Sequence, residues 1–260
     1  MDRLPYVVTY ALPEARCASD NAPYPIVLFS PGVTALRSQA AEKGPELASH
    51  GYVVVGVDHW DALGTVFPDG THVQNPTSAD MTVPGFQDRV KDLIFVLDEL
   101  ARWNSTDPVF AGRLDVTNVA AMGFSWGGEV APEVCRIDTR VRVAVMLDSY
   151  PSVAPVCAYD LIALGLSKPF IGMYSAGGGD STLFNKATKD AIHFTITGSQ
   201  HLNFGDYYWI SFPGDLVGGK EIARTINAYT LWFLNKYLKG LDEPMPNRAD
   251  YPRVTNFRQK

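Results

Sequence analysis

The sequence predicts an α/β protein: a mostly parallel, doubly wound sheet with helices on both faces, formed by residues 1–260 as one domain. Three observations carry this. Short apolar runs alternate with helical patterns, the signature of parallel βαβ units. Several runs are apolar at every position, as strands covered on both faces require. No Ser- or Pro-rich linker and no charge run divides the chain, and 46% apolar residues suffice for one sizeable core.

The elements follow in order. Tyr6 to Tyr10 predicts an edge strand. Ile26 to Phe29 is a short buried strand, stopped by Ser30-Pro31-Gly32. Ala40 to Ser49 predicts a helix, interrupted near Gly44-Pro45. Tyr52 to Val57, apolar almost throughout, predicts a central strand. Residues 58–85 are rich in Gly, Pro, Asp and Thr and predict a long loop of the kind that often serves function. Phe86 to Ala101 carries apolar residues at 90, 93, 94, 97 and 100, a helical spacing. Asn118 to Met122, Val141 to Leu147, Phe170 to Tyr174 and Ile192 to Ile196 predict further strands, and Lys220 to Leu238 a closing amphipathic helix. No insertion between Asp148 and His201 is large enough for a separate lid domain. In such a sheet, ligands bind beyond the carboxyl ends of the strands.

Composition excludes several classes. A net charge of −6 argues against a nucleic-acid binder, which would carry a basic patch. No apolar stretch reaches the roughly 18 residues of a membrane span. The first residues do not form a signal peptide, so the chain is expected to be intracellular, or secreted with a leader removed. Cys17, Cys135 and Cys157 form no disulfide framework, and three buried thiols are the simplest expectation. Asn104-Ser105-Thr106 is an isolated glycosylation sequon. Nothing in the pattern sets an oligomeric state.

The chemistry centres on Gly123-Phe124-Ser125-Trp126-Gly127. This pentapeptide follows a strand and precedes a helix, the context of a G-x-S-x-G nucleophile elbow. Glycines permit the sharp turn, and the helix N-terminus favours a developing anion. A serine hydroxyl is a weak nucleophile and needs a base and a group to orient that base. Among His50, His59, His72, His193 and His201, only His201 lies C-terminal to the serine on a loop after a late strand. His59 follows Tyr52 to Val57 and is expected to line the pocket; His193 lies inside a strand and reads as structural. Two acids compete: Asp148, after Val141 to Leu147, and Asp180, after Phe170 to Tyr174. Either gives the order Ser, Asp, His found in α/β-hydrolases. One oxyanion donor is expected to be the backbone N–H of Trp126, the other an N–H of the loop after Phe29.

The chain resembles the plasma and type II intracellular platelet-activating factor acetylhydrolases. The resemblance rests on Tyr24-Pro-Ile-Val-Leu-Phe-Ser-Pro-Gly-Val33, Leu47-Ala-Ser-His-Gly-Tyr-Val-Val-Val55, Val119-Ala-Ala-Met-Gly-Phe-Ser-Trp-Gly-Gly128, Val145-Met-Leu-Asp-Ser-Tyr150 and Gly198-Ser-Gln-His-Leu-Asn-Phe204. It implies the α/β-hydrolase fold, places the acid at Asp148 rather than Asp180, and places the second oxyanion donor at Val33. It also implies esters with short acyl groups, on small-molecule or lipid-like carriers. The chain departs from the family at Pro31, where histidine is usual, and at Trp126, where phenylalanine is common, departures that bear on substrate preference.

Aromatic residues crowd the loops of this site: Trp60, Phe67, Trp126, Tyr150, Phe204, Tyr207, Tyr208, Trp209 and Phe212. Trp60, Tyr150 and Phe204 are the expected pocket residues, in a pocket for an acyl chain or a patch that meets a membrane surface. Gly177-Gly-Gly179 lacks the lysine of a phosphate-binding loop, and no His/Cys/Asp cluster has metal-site spacing. The expected activity is ester hydrolysis through an acyl-enzyme, with no cofactor and no metal. Acyl transfer or a biosynthetic hydrolysis or ring closure by the same triad, and a ligand-binding relic without turnover, are the alternatives.

Overall fold

The computed structural model describes residues 11–12, 14–18, 20, 22–75, 81–150, 159–177, 179–206 and 218–260. A seven-stranded sheet runs in the order β2 (Val53–Gly56), β1 (Tyr24–Ser30), β5 (Leu114–Phe124), β6 (Val141–Leu147), β7 (Phe170–Tyr174), β8 (Ala191–Ile196) and β9 (Val254–Gln259). Every neighbouring pair is parallel except β8 and β9. The expected strand at Tyr6 to Tyr10 and the third cysteine, Cys157, lie outside the described residues.

Strand side chains alternate between two apolar cores, one on each face. Ile26, Leu28, Val119, Ala121, Ala144 and Met146 face one core with α2 (Val83–Thr106) and α3 (Trp126–Ile137). Val27, Phe29, Ala120, Met122, Val143 and Val145 face the other with α1 (Lys43–Ser49) and the closing helix α6 (Gly219–Leu238). Two short helices, α4 (Tyr159–Leu164) and α5 (Thr182–Lys186), complete the first face. Each fully buried aliphatic side chain contributes about 1.5–3 kcal/mol, so these twin cores fix the sheet that carries the site.

Three expectations change. Val53–Gly56 is the edge of the described sheet, not a central strand. Its run is apolar because Val53 and Val55 pack on one core and Val54 on the other; cover on both faces needs no strand on both sides. Residues 58–85 are not loop throughout: β3 (Gly64–Val66) and β4 (His72–Gln74) form an antiparallel hairpin. Helix α2 then starts before Phe86, at Val83, where the Thr82 side chain accepts the Gly85 N–H and Pro84 sits in the first turn, where its missing N–H costs nothing. Helix α3 tolerates Pro132 in its interior, at the loss of one rung of its hydrogen-bond ladder.

Other details follow suit. Asn104 of the sequon lies in α2, and its side-chain oxygen accepts the Leu114 N–H at 2.9 Å. Cys135 is buried as expected, whereas Cys17 is partly exposed.

Candidate active site

Ser125 joins β5 to α3 with φ 53° and ψ −124°, a conformation an L-residue adopts only when its surroundings impose it. The Ser125 N–H donates to the Leu147 carbonyl of β6 at 2.9 Å. The flanking glycines are required by close approach. A Cβ on Gly123 would stand 2.1 Å from the Gly127 carbonyl oxygen, and one on Gly127 would stand 2.0 Å from that of Ser30. So β5 turns directly into α3 beneath the end of β1, and the serine hydroxyl is held at the tip.

Ser125 Oγ lies 2.9 Å from His201 Nε2, and His201 Nδ1 lies 2.6 Å from Asp148 Oδ2. With Nδ1–H donating to the carboxylate, Nε2 is left to accept the serine proton. Asp148 follows β6 at φ 45°, is fully buried, and donates its N–H to the Met173 carbonyl at 2.8 Å. Its Oδ1 accepts the Ser175 N–H at 2.6 Å and the Tyr150 hydroxyl at 3.0 Å. Both oxygens of this buried carboxylate are thereby engaged, which holds it in place.

His201 opens a short 3-10 turn after β8, beyond the left-handed Gly198 at φ 79°. The Gln200 N–H donates to Asn203 Oδ1 at 2.7 Å, bracing the turn. The Phe124 ring lies 4.7 Å from the imidazole, centroid to centroid. The imidazole side chain is 44% exposed, so the open end of the chain meets water.

The loop after β1 runs beside the serine: a Cβ on Gly32 would stand 3.4 Å from Ser125 Cβ. Gln39 Oε1 takes the Gly32 N–H at 2.8 Å and Asp61 Oδ2 takes the Thr34 N–H at 2.9 Å. Among the described residues no group accepts from Val33 N–H, which lies between them. Trp126 is the first residue of α3, where an N–H has no partner within the helix. Among the described residues the two expected oxyanion donors are therefore both uncommitted, and both flank Ser125 along the chain or in space.

His201 takes Asp148 as its carboxylate partner, whereas Asp180 Oδ1 accepts the Thr182 N–H at 2.8 Å just before α5. Phe204 is fully buried in the core under α6, so the expectation that it lines an open pocket is corrected: its ring is core. Trp60 is 42% exposed on the loop after β2. Tyr150 serves Asp148 through its hydroxyl, a role its aromatic character did not announce. Tyr207, Tyr208, Trp209 and Phe212 lie outside the described residues. A groove of about 740 Å³ between β2, the hairpin and α2 is lined by Val57, Val66, Phe67 and Phe95 among others, and none of Ser125, Asp148 or His201 borders it.

His59 does not line a pocket either. It is buried, with Nε2 2.9 Å from Ser30 Oγ and Nδ1 2.7 Å from Asp92 Oδ2. These are the residue types of a catalytic triad, but Ser30 is fully buried at the end of β1, out of reach of substrate. Burial lowers the pKa of His59 against the opposing hydrogen bond to Asp92, keeping the ring neutral as a structural link. Sequence reading also missed Arg89, fully buried on α2 and bonded to Asp61 and to the Pro31 and Gly32 carbonyls of the loop after β1. A charged residue at a core-facing position of the helical pattern was the available signal.

Residues 9–82 match the family model described as platelet-activating factor acetylhydrolase, isoform II. The platelet-activating factor acetylhydrolase of Cavia porcellus is 28% identical over 85% of this chain and 58% of its own length. A cutinase of Thermobifida cellulosilytica, Cutinase 2, is 29% identical over 42% of this chain and 33% of its own length. A ferulic acid esterase from Streptomyces cinnamoneus superposes with a TM-score of 0.76 at 28% identity, over 93% of this chain and 75% of that one. The chain thus has the α/β-hydrolase fold and is similar to the platelet-activating factor acetylhydrolases, spanning less than two thirds of the length of the curated relatives it matches.

Proposed function

We propose that this α/β-hydrolase is a serine carboxyl-ester hydrolase working through Ser125, His201 and Asp148. The unbroken contact chain from Ser125 Oγ through His201 to the buried Asp148 carries the reading. Ser125 Oγ attacks the ester carbonyl while His201 Nε2 takes its proton. The charge on the tetrahedral oxygen falls to the N–H groups of Val33 and Trp126, donors of a kind worth about 3 kcal/mol each. His201 returns the proton to the leaving alkoxide, and Asp148 stabilises the transient imidazolium. The acyl-enzyme is then attacked by water, with His201 acting as base a second time. The 44% exposure of the His201 side chain favours water over a shielded acceptor, and so hydrolysis over acyl transfer.

The likeness to acetylhydrolases supports short acyl esters as substrates. The likeness to a cutinase and a ferulic acid esterase supports tolerance of other acyl groups. An acyl-length series of p-nitrophenyl esters tests both. Turnover should be highest on acetate or butyrate and fall steeply by octanoate; a maximum at long chains would overturn the short-acyl reading. Ser125→Ala should lose at least about a thousandfold in kcat on p-nitrophenyl acetate, and full activity in that variant would refute the mechanism.

A further inference from the structure

We infer that Arg89 is a positioning residue of the oxyanion hole, orienting the Gly32–Val33 donor peptide from the face turned away from the substrate and packing against the Trp126 side chain. This rests on the serine-hydrolase reading above. Arg89 lies on α2 and is fully buried. Its Nη1 donates to the Pro31 carbonyl at 2.9 Å and its Nη2 to the Gly32 carbonyl at 3.0 Å. Nε and Nη2 also grip Asp61, at 3.1 Å and 2.7 Å. Asp61 in turn accepts the Thr34 N–H.

The Gly32 carbonyl and the Val33 N–H belong to one peptide plane. In a trans peptide these two groups point in opposite directions. Drawing the Gly32 oxygen onto the guanidinium therefore turns the Val33 N–H away from Arg89, on a loop that runs beside Ser125. The same guanidinium lies 4.3 Å from the ring centroid of Trp126, the residue whose N–H is the second donor. One planar cation thus holds the peptide of the Val33 donor and packs against the side chain of the residue that carries the other. Only a planar fork with several donors can serve two carbonyls and a carboxylate at once; a lysine ammonium cannot reproduce that geometry. His59 adds a second tie from the same helix, joining Ser30 at the root of the loop to Asp92, one turn from Arg89.

The alternative is that Arg89 merely neutralises buried Asp61. The two differ in what turnover per folded molecule does. Arg89→Lys and Asp61→Asn are prepared, and active serines are counted by fluorophosphonate titration. Then kcat and KM on p-nitrophenyl acetate, the pH profile of kcat/KM, and the affinity for a trifluoromethyl ketone, whose adduct carries an oxyanion, are measured. Positioning predicts a loss of about 10–100-fold in kcat per titrated site, KM within about twofold, an equal loss of ketone affinity, and an unmoved pH midpoint. Wild-type turnover and ketone affinity per titrated site, with only a lowered melting temperature, overturn the proposal. If Arg89→Lys does not fold, the isosteric Asp61→Asn is judged by the same values. Failure of the wild-type enzyme to react with the fluorophosphonate would instead sink the hydrolase reading itself.

Discussion

Tyr150 donates its hydroxyl to Asp148 at 3.0 Å, on the carboxylate oxygen that His201 leaves free. The same oxygen takes the Ser175 N–H at 2.6 Å, so the phenol is an auxiliary donor rather than the sole one. Tyr150→Phe should therefore weaken the carboxylate's orientation without disconnecting it. A lost hydrogen bond of about 1 kcal/mol corresponds to roughly a fivefold fall in kcat/KM. Steady-state kinetics on p-nitrophenyl acetate would show it, with KM held; a drop beyond about a hundredfold would mean that Tyr150 does more than support Asp148.

Asp148 and Asp180 both fit the acid's place in the chain order, and their contacts differ. Asp148 meets His201, whereas Asp180 accepts the Thr182 N–H beside a short helix. Asp148→Asn should cost about 10⁴ in kcat, because the imidazole loses its orienting acceptor and settles in the wrong tautomer. Asp180→Asn should stay within about twofold. Parallel assays of the two variants decide the matter, and equal losses would refute the assignment.

The course of the backbone was legible because parallel strands announce themselves as apolar runs and the elbow as a glycine-flanked serine. The Ser125 and His201 positions follow from chain order and strand ends alone. Asp148 was separable from Asp180 only through family likeness, since both follow strands. What stayed hidden was the support beneath the loop after β1. Arg89, Asp61, His59 and Asp92 are joined across about 30 residues of sequence, and no local pattern reports such a pairing. Phe204 misled for the opposite reason: it lies three residues from His201 in sequence, yet its ring turns inward to the core.

The close approach at the elbow yields a stability prediction. Gly127→Ala would press a methyl group to 2.0 Å from the Ser30 carbonyl oxygen and 2.5 Å from that of Pro31. Both are backbone atoms at the end of β1 and cannot step aside as a side chain tip would. The loop and α3 must separate, at a cost of about 3 kcal/mol, and activity should fall with it. Thermal unfolding should drop by roughly 6–12 °C, and an unchanged midpoint would show that the backbone yields more readily than close packing allows.

Two buried groups should tilt stability in opposite directions with pH. Burial pushes the Asp206 carboxyl up to about 6, against the pull of nearby Lys43. Burial also pushes His193 down to about 4, with Arg258 adding to the effect. In the unfolded chain these groups titrate near about 3.9 and 6.5. Between those values the folded protein holds the Asp206 proton that the unfolded chain has released, so this contribution is full below about pH 4 and is lost as pH rises through about 6. His193 behaves conversely: the unfolded chain binds its proton first, so this contribution is full above about 6.5 and is lost as pH falls through about 4. Each shift spans about 2 units, on the order of 3 kcal/mol, and over pH 4–6 the two largely cancel. Asp206→Asn should then make stability climb more steeply with pH than in the wild type, and His193→Gln should make it climb less or fall. Urea unfolding at pH 4, 5, 6 and 7 measures these slopes, which are unaffected by any constant loss from disturbing the Lys43 contact; three parallel curves would show that neither group titrates differently on folding.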